Sequence, residues 1–293
     1  MRIDELITRY KFVRIIEVTP PRYKFDVALN PRQMQIRIHS WMEMVRSLGL
    51  YCDGIAIADL KETQACHLPP SMLAREVKRE AGIEVMPSLA LRDYSKGALL
   101  NTVVGCISRG ITNLLIVRGD PHQEGERLAG DLYGFSKVAE ALRIIKNMVG
   151  GTRDNMLCIA TSFDHNLVHD DKYIRMLKER EPLVDLYIDQ PFFRDPEEYL
   201  ELIDVARSLG IAKPILHSIF PLLDKEDMNR AIMNFGWKIS EQEKTQLIEG
   251  QEAGIKIASQ KFEYLFSNRK KVDGVYISSR NRPELVRFIL SGK

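Results

Sequence analysis

The chain has 293 residues, with 42 Lys and Arg against 40 Asp and Glu, for a formal net charge of +2. That balance excludes the concentrated basic face of a dedicated nucleic-acid binder. No apolar stretch approaches the roughly 18 residues that a membrane span needs, and the N-terminus Met1-Arg2-Ile3-Asp4-Glu5 has no apolar signal core.

A cytoplasmic protein with no membrane partner is therefore expected. The hydrophobic share of 45% is ordinary for a chain with a real core. Cys52, Cys66, Cys106 and Cys158 are widely spaced and contain no CxxC pair, which leaves neither a disulfide framework nor a zinc ribbon. The densest basic run, Asn268-Arg269-Lys270-Lys271, reads as a solvated loop before a strand.

Short β-like runs alternate with longer helical ones. An apolar run over residues 12–18 stops at Pro20-Pro21 and is followed by a helix over 33–48, closed by Gly49. The second run is 54–58, and its helix starts after Pro69-Pro70 and reaches Ala81. The third is 83–91, with a helix over 95–109. The fourth, 113–117, is almost wholly apolar, as in a parallel strand buried on both faces, and its helix spans 134–148. The fifth run (156–161) precedes a helix over 171–180, and the sixth (184–188) a helix over 196–209. The seventh is 214–219; a long connection, 225–266, has room for two or three helices. The eighth is 272–277, before a last helix over 283–290.

Eight such units are the pattern of a (β/α)8 TIM barrel, which needs about 250 residues, so one α/β domain over residues 1–293 is expected. A doubly wound open sheet is the alternative. No low-complexity tract or flexible linker divides the chain.

In a closed parallel barrel the chemistry sits where the strands end. Those ends carry Glu17, Asp59, Arg92-Asp93, Arg118-Gly119-Asp120-Pro121, the segment 161–165 with His165, Asp189-Gln190-Pro191, His217 and Phe220, and Ser279-Arg280-Asn281-Arg282. Glu17 interrupts the apolar Ile15-Ile16-Glu17-Val18. A carboxyl group facing a barrel interior is partly desolvated, which raises its pKa and suits a general acid near neutral pH. The plainer alternative is a glutamate paired with Arg14 or Arg22.

At Arg118-Gly119 a glycine lets backbone amides approach a phosphate that the arginine can grip. Turns of that composition are common, so the signal is weak alone. His165 and His169 are four apart, but no third ligand is obvious and no HExxH occurs, so no metal is expected. The chain also lacks GxGxxG after its first strand and has no GxxxxGK[ST], which disfavours a Rossmann site and a P-loop.

Taken in order, these residues resemble the methylenetetrahydrofolate reductase family from Glu17 to Arg282. The matching segments are Glu17-Val18-Thr19-Pro20-Pro21-Arg22, then Asn113 to Pro121, Ala129-Gly130-Asp131-Leu132 and Ala160 to His165. Asp189-Gln190-Pro191-Phe192-Phe193, Ile219-Phe220-Pro221 and Asn281-Arg282-Pro283-Glu284 complete the set.

The resemblance implies a (β/α)8 barrel oxidoreductase of one-carbon metabolism, feeding methionine biosynthesis. Such an enzyme reduces 5,10-methylenetetrahydrofolate to 5-methyltetrahydrofolate by hydride transfer from FAD. NAD(P)H or a partner electron-donor protein would reduce the flavin, and homo-oligomers are compatible with it. By the same resemblance Glu17 is the general acid and Asp120 the carboxylate beside flavin and pterin. Gln190 positions the pterin, Phe220 lines the substrate site and Arg282 grips the glutamate tail. Asp59, Arg118, Gly119, Asp120, Ala129, Asp131 and His165 match cofactor-binding positions, with Lys178 or Arg180 as the basic flavin contact.

The chain departs from the family at Ile57-Ala58-Asp59, where Thr-Tyr-Gly is frequent, and at Ser88-Leu89-Ala90, where His-Leu-Thr is frequent. Thr161 and Leu128 fall where aromatic cofactor contacts are common. These departures bear on flavin more than on folate. They leave open a folate-binding member with weak or no flavin, acting beside an electron-donor subunit, or a pterin-linked methyltransferase.

Overall fold

The computed structural model describes residues 1–24, 30–60, 65–119, 137–149 and 156–291. In chain order its elements begin with α1 (Ile3–Tyr10), β1 (Val13–Val18), β2 (Arg22–Lys24), α2 (Pro31–Gly49), β3 (Gly54–Ile57) and β4 (Ala65–His67). Next are α3 (Pro70–Ala81), β5 (Glu84–Ala90), α4 (Lys96–Ser108), β6 (Asn113–Val117), α5 (Val138–Val149) and β7 (Cys158–Phe163). The chain continues through α6 (Asp171–Arg180), β8 (Leu186–Asp189), α7 (Pro196–Ser208), β9 (Ile215–Ile219) and α8 (Lys225–Phe235). It ends with α9 (Glu241–Leu247), α10 (Gln251–Ser267), β10 (Gly274–Ser278) and α11 (Pro283–Ser291).

Local chemistry sets these limits. Asn30 caps α2 by accepting from the Arg32 and Gln33 amides, with Pro31 preset for the first turn. Asp195 and Pro196 do the same for α7. Gly82, at φ +67°, closes α3 in the left-handed conformation that glycine adopts without strain.

Eight parallel strands close in the order β1-β10-β9-β8-β7-β6-β5-β3. Closure is made by β1, which pairs Ile15 with Tyr276 on one side and with Gly54 on the other. The eight expected runs are these eight strands, so the fold is the single-domain (β/α)8 barrel and not the open sheet. The long connection after β9 holds three helices, α8, α9 and α10.

Alternation along each strand divides the core in two. Val13, Ile15, Ala56, Met86, Leu115, Ala160, Leu186, Ile188, Leu216 and Tyr276 pack together inside the barrel. The alternate residues, such as Ile16, Ile55, Leu114, Ile159, Tyr187 and Ile277, pack outward under the helices.

Two features were not anticipated. Helix α1 buries Ile3, Leu6 and Ile7 against the interior cluster, at roughly 2 kcal/mol of transfer free energy each. The Ile3 amide donates to Asn113 Oδ1 (2.7 Å), at the first residue of β6, so α1 closes the N-terminal end of the barrel. The antiparallel pair β2–β4 is the other feature, three residues a strand, too short to show a period. With one end plugged, the C-terminal ends of the strands form the remaining mouth.

Candidate active site

Glu17 occupies the interior side of β1, two residues above Ile15, flanked in register by Ser278 and Ala56. Its side chain is partly open to the mouth. Tyr276, one layer deeper on β10, donates its hydroxyl to Glu17 Oε2 at 2.6 Å. Burial among the strands raises the Glu17 pKa above the ordinary carboxyl range, while hydrogen bonds from Tyr276 and Ser278 oppose that rise and do not cancel it. The alternative pairing with Arg14 does not occur, because the Arg14 guanidinium binds Asp53 (3.2 Å) on the outer side of the strand.

The backbone around Glu17 is clamped by the loop after β10. Ser279 donates both its amide (3.0 Å) and its hydroxyl (2.6 Å) to the Glu17 carbonyl. The Asn281 side chain accepts from the Thr19 amide and donates to the Thr19 carbonyl, both at 2.9 Å. This clamp needs two successive left-handed residues, Arg280 (φ 50°) and Asn281 (φ 57°), an uncommon state for non-glycine residues. The ion pair of Arg280 with Asp227 on α8 holds the turn. Asp227 also pairs with Arg230; burial works against its charge, yet these hydrogen bonds prevail and hold its pKa at about 2. Arg282 follows, exposed at the mouth.

The opposite wall is built differently. Asp189, the last residue of β8, faces outward and is fully buried, as are His165, Tyr199 and His217. Its carboxylate accepts from the amides of His165 (3.2 Å) and Gln190 (2.7 Å), from His165 Nδ1 (3.1 Å) and from the Tyr199 hydroxyl (2.6 Å). The Ser218 hydroxyl donates to the Asp189 carbonyl, and the Tyr199 hydroxyl also meets His217 Nδ1. Gln190 continues β8, its amide donating to the Phe163 carbonyl (3.0 Å), so alternation turns its side chain to the interior.

Phe192 stacks on Tyr199 (4.0 Å between centroids), and the buried Lys261 binds the Phe192 carbonyl (2.7 Å) and Glu243 (2.8 Å). Phe220 lies beyond β9, packed on Trp237 at 5.0 Å with the Arg280 guanidinium over its ring. Between the two walls most of the interior positions near the mouth are small (Ala56, Ser88, Ala90, Ala160, Ser162, Ser218 and Ser278), with the larger Val117 and Ile188 beside Ala90 and Ser162.

The residues expected to hold a flavin divide into two sets. Arg118 is exposed just past β6. Gly119 (φ +84°) packs so closely that a Cβ would stand 3.3 Å from both Ala90 and Arg92 side chains. An exposed guanidinium beside a bare backbone suits a diphosphate. The other set is engaged or remote. Asp59 caps the Ala90 amide (2.9 Å), and the His165 ring is bound to Asp189. Lys178 is exposed and Arg180 buried, both in the last turn of α6, which leads down to the start of β8, away from the mouth. Asp120, Ala129 and Asp131 lie outside the described residues.

Sequence reasoning missed Tyr276, Tyr199, Lys261 and Asp227. All four lie within helices or strands rather than at strand ends, Asp227 in the first turn of α8. Among the described residues no cluster of three His, Cys, Asp or Glu side chains is placed to hold a metal ion. No helix among them is long and apolar enough to cross a membrane.

A family model described as methylenetetrahydrofolate reductase matches residues 3–291. The chain belongs to the methylenetetrahydrofolate reductase family. No curated protein matches its sequence. Among solved structures, it is similar to an uncharacterized protein from Clostridium thermocellum that binds two copies of 5-methyl-5,6,7,8-tetrahydrofolic acid. That likeness covers 100% of both chains, with a TM-score of 0.69 at 13% identity. A GH10 endoxylanase from a sugarcane soil metagenome is more distant, with a TM-score of 0.53 at 9% identity over 93% of this chain and 87% of the other. At such identities these neighbours speak for the barrel alone; membership of the reductase family rests on the family model.

Proposed function

We propose that this member of the methylenetetrahydrofolate reductase family reduces 5,10-methylenetetrahydrofolate to 5-methyltetrahydrofolate at the barrel mouth, with Glu17 as the proton donor. The observation that carries the reading is Glu17 itself: an interior carboxyl group whose pKa burial raises, next to a mouth lined mostly by small side chains. In the ring-opening step, the Glu17 proton goes to a folate nitrogen as its bond to the one-carbon bridge breaks. The electron pair stays on that nitrogen, and the other nitrogen is left as an iminium. Gln190 orients the pterin, Phe220 lies alongside and Arg282 meets the carboxylate tail. Asp120 is the proposed counter-charge for the cation.

Arg118 and Gly119 are the described residues that would hold FAD by its diphosphate. FAD, when bound, supplies the hydride that reduces the one-carbon unit. NAD(P)H or a partner electron-donor protein recharges it.

A second reading is favoured by one observation. Asp59 and His165 are engaged with their own chain, and Lys178 and Arg180 lie away from the mouth. A folate-binding member with weak flavin affinity fits that distribution, and the methyltetrahydrofolate-binding neighbour is compatible with it.

The absorption spectrum of the purified protein, followed by release of any flavin on denaturation, separates the two. Stoichiometric FAD that is bleached by NAD(P)H and reoxidised by methylenetetrahydrofolate is the expected result. Colourless protein that binds 5-methyltetrahydrofolate but takes up no added FAD would select the second reading.

A further inference from the structure

Asp189, the last residue of β8, and Gln190, which follows it, face opposite ways, Asp189 under α7 and Gln190 into the barrel. The proton positions in the buried chain follow from valence. A carboxylate only accepts, so the single hydroxyl proton of Tyr199 points to Asp189 Oδ2. The Tyr199 oxygen must then accept from His217, which makes Nδ1 the protonated nitrogen of that ring. Burial, with smaller contributions from Arg207 and His165, lowers the His217 pKa to about 3, so the ring is neutral. His165 likewise presents Nδ1–H to Asp189. The hydrogen bonds therefore run from His217 through Tyr199 to Asp189, with His165 converging from the other side. Asp189 hands this order on in two places. Its carboxylate accepts from the Gln190 backbone amide, which the Phe163 carbonyl also holds, and its carbonyl accepts from the hydroxyl of the interior-facing Ser218.

We propose that Tyr199, acting through Asp189 and seconded by His217, is a positioning residue that fixes Gln190 for binding of the reduced pterin. The inference rests on the folate reading of the mouth. Tyr199 never meets the ligand: its ring is fully buried, stacked on Phe192 and edge-on to both histidines. Among the described residues its hydroxyl is one of two side-chain donors on the Asp189 carboxylate, and the other, His165, lies across the strand. Loss of that hydroxyl removes one of the donors that fix the Asp189 carboxylate, which shares the Gln190 amide with the Phe163 carbonyl.

The test is a double-mutant cycle read by calorimetric titration with 5-methyltetrahydrofolate. Tyr199→Phe keeps the stack on Phe192 and removes only the hydroxyl; binding roughly tenfold weaker is expected. Gln190→Ala weakens binding by itself. If Tyr199 acts through Gln190, the double variant binds no worse than Gln190→Ala, because the second loss has nothing left to misplace. Additive losses, or wild-type affinity in Tyr199→Phe, overturn the proposal. Should Tyr199→Phe fail to fold, His217→Ala probes the same chain one bond farther out. His217→Asn, which returns a donor near the Nδ1 position, restores affinity if the chain positions Gln190 and fails to if it does not. Wild-type protein that does not bind 5-methyltetrahydrofolate overturns the folate reading itself, an outcome distinct from additive losses in a protein that binds it.

Discussion

The two walls of the barrel mouth each hold a desolvated carboxyl group, and the two are equipped for opposite tasks. Glu17 faces inward and is met by a phenol and a serine hydroxyl, too little to offset burial, so its pKa is raised and it holds its proton more tightly than an ordinary carboxyl group. Asp189 faces outward and collects two backbone amides, an imidazole and a phenol. Both stand at the end of a barrel strand, yet one is suited to give up a proton and the other to hold a wall together. The number of donors around a buried carboxyl group, and the side of the sheet it faces, separate reagent from scaffold more sharply than its place in the sequence.

The contrast breaks most visibly at Glu17. Replacing it with Gln keeps the size and the bond from Tyr276 but removes the proton to be donated. Turnover of methylenetetrahydrofolate is expected to fall by about 10²–10⁴, with 5-methyltetrahydrofolate affinity within a few-fold of wild type. The same variant changes stability in a defined direction. A carboxyl group whose pKa is raised in the folded state binds its proton more tightly there than in the unfolded chain. Wild-type stability therefore declines as pH rises from the ordinary carboxyl range through the raised value, and is unaffected by Glu17 below that range. Urea unfolding should show Glu17→Gln gaining on wild type toward neutral pH and matching it in acid. A variant that keeps full turnover would remove Glu17 from the chemistry.

Asp189→Asn is expected to act on folding first. The amide leaves part of the donor set facing an NH2 group, and a buried donor without an acceptor is costly. A loss of about 2–4 kcal/mol is expected, read as a lower urea midpoint at unchanged m-value. A loss well under about 1 kcal/mol would mean that Asp189 is not the scaffold its donor count suggests.

The architecture was legible because closed parallel barrels leave strong marks: strands buried on both faces, capped helices between them, and polar residues gathered at one set of strand ends. Glu17 stood out for the same reason, as the one charged residue late in an apolar run. Its partner Tyr276 was hidden, because an aromatic residue inside Gly274–Ser278 has the pattern of ordinary core. Tyr199 and Lys261 were hidden more deeply. Each sits on a helix whose neighbours alternate polar and apolar, and their roles come from contacts with distant elements that no local period encodes. Lys178 and Arg180 show the reverse limit. The family resemblance implies a basic flavin contact at one of them, and a ten-residue helix puts its last residue about 13 Å from its first. Their position turns on helix length rather than on residue type.

The smallest expected effect gives the finest measure of the contrast between the walls. Tyr276→Phe removes one donor from Glu17 and nothing else, since the Tyr276 ring stays packed among the interior side chains. Among the described residues, the groups that face Glu17 are few. β10 contributes Tyr276 and Ser278, β3 contributes Ala56, and Arg14 is turned away toward Asp53. The Tyr276 phenol, whose own pKa is driven up by burial and by the Glu17 charge, stays a donor across the working pH range. It lowers the Glu17 pKa by stabilising the ionised form. Without it burial acts with less opposition, and the pKa moves further up. The alkaline limb of the pH–rate profile should therefore shift to higher pH, because the acid stays protonated longer. The rate at the optimum should change by no more than a few-fold, since a single hydrogen bond is at stake. A shift toward lower pH would mean that Tyr276 withholds the Glu17 proton instead of steadying the carboxylate that remains after transfer. The inward wall would then owe its chemistry to a coupled pair rather than to an isolated acid.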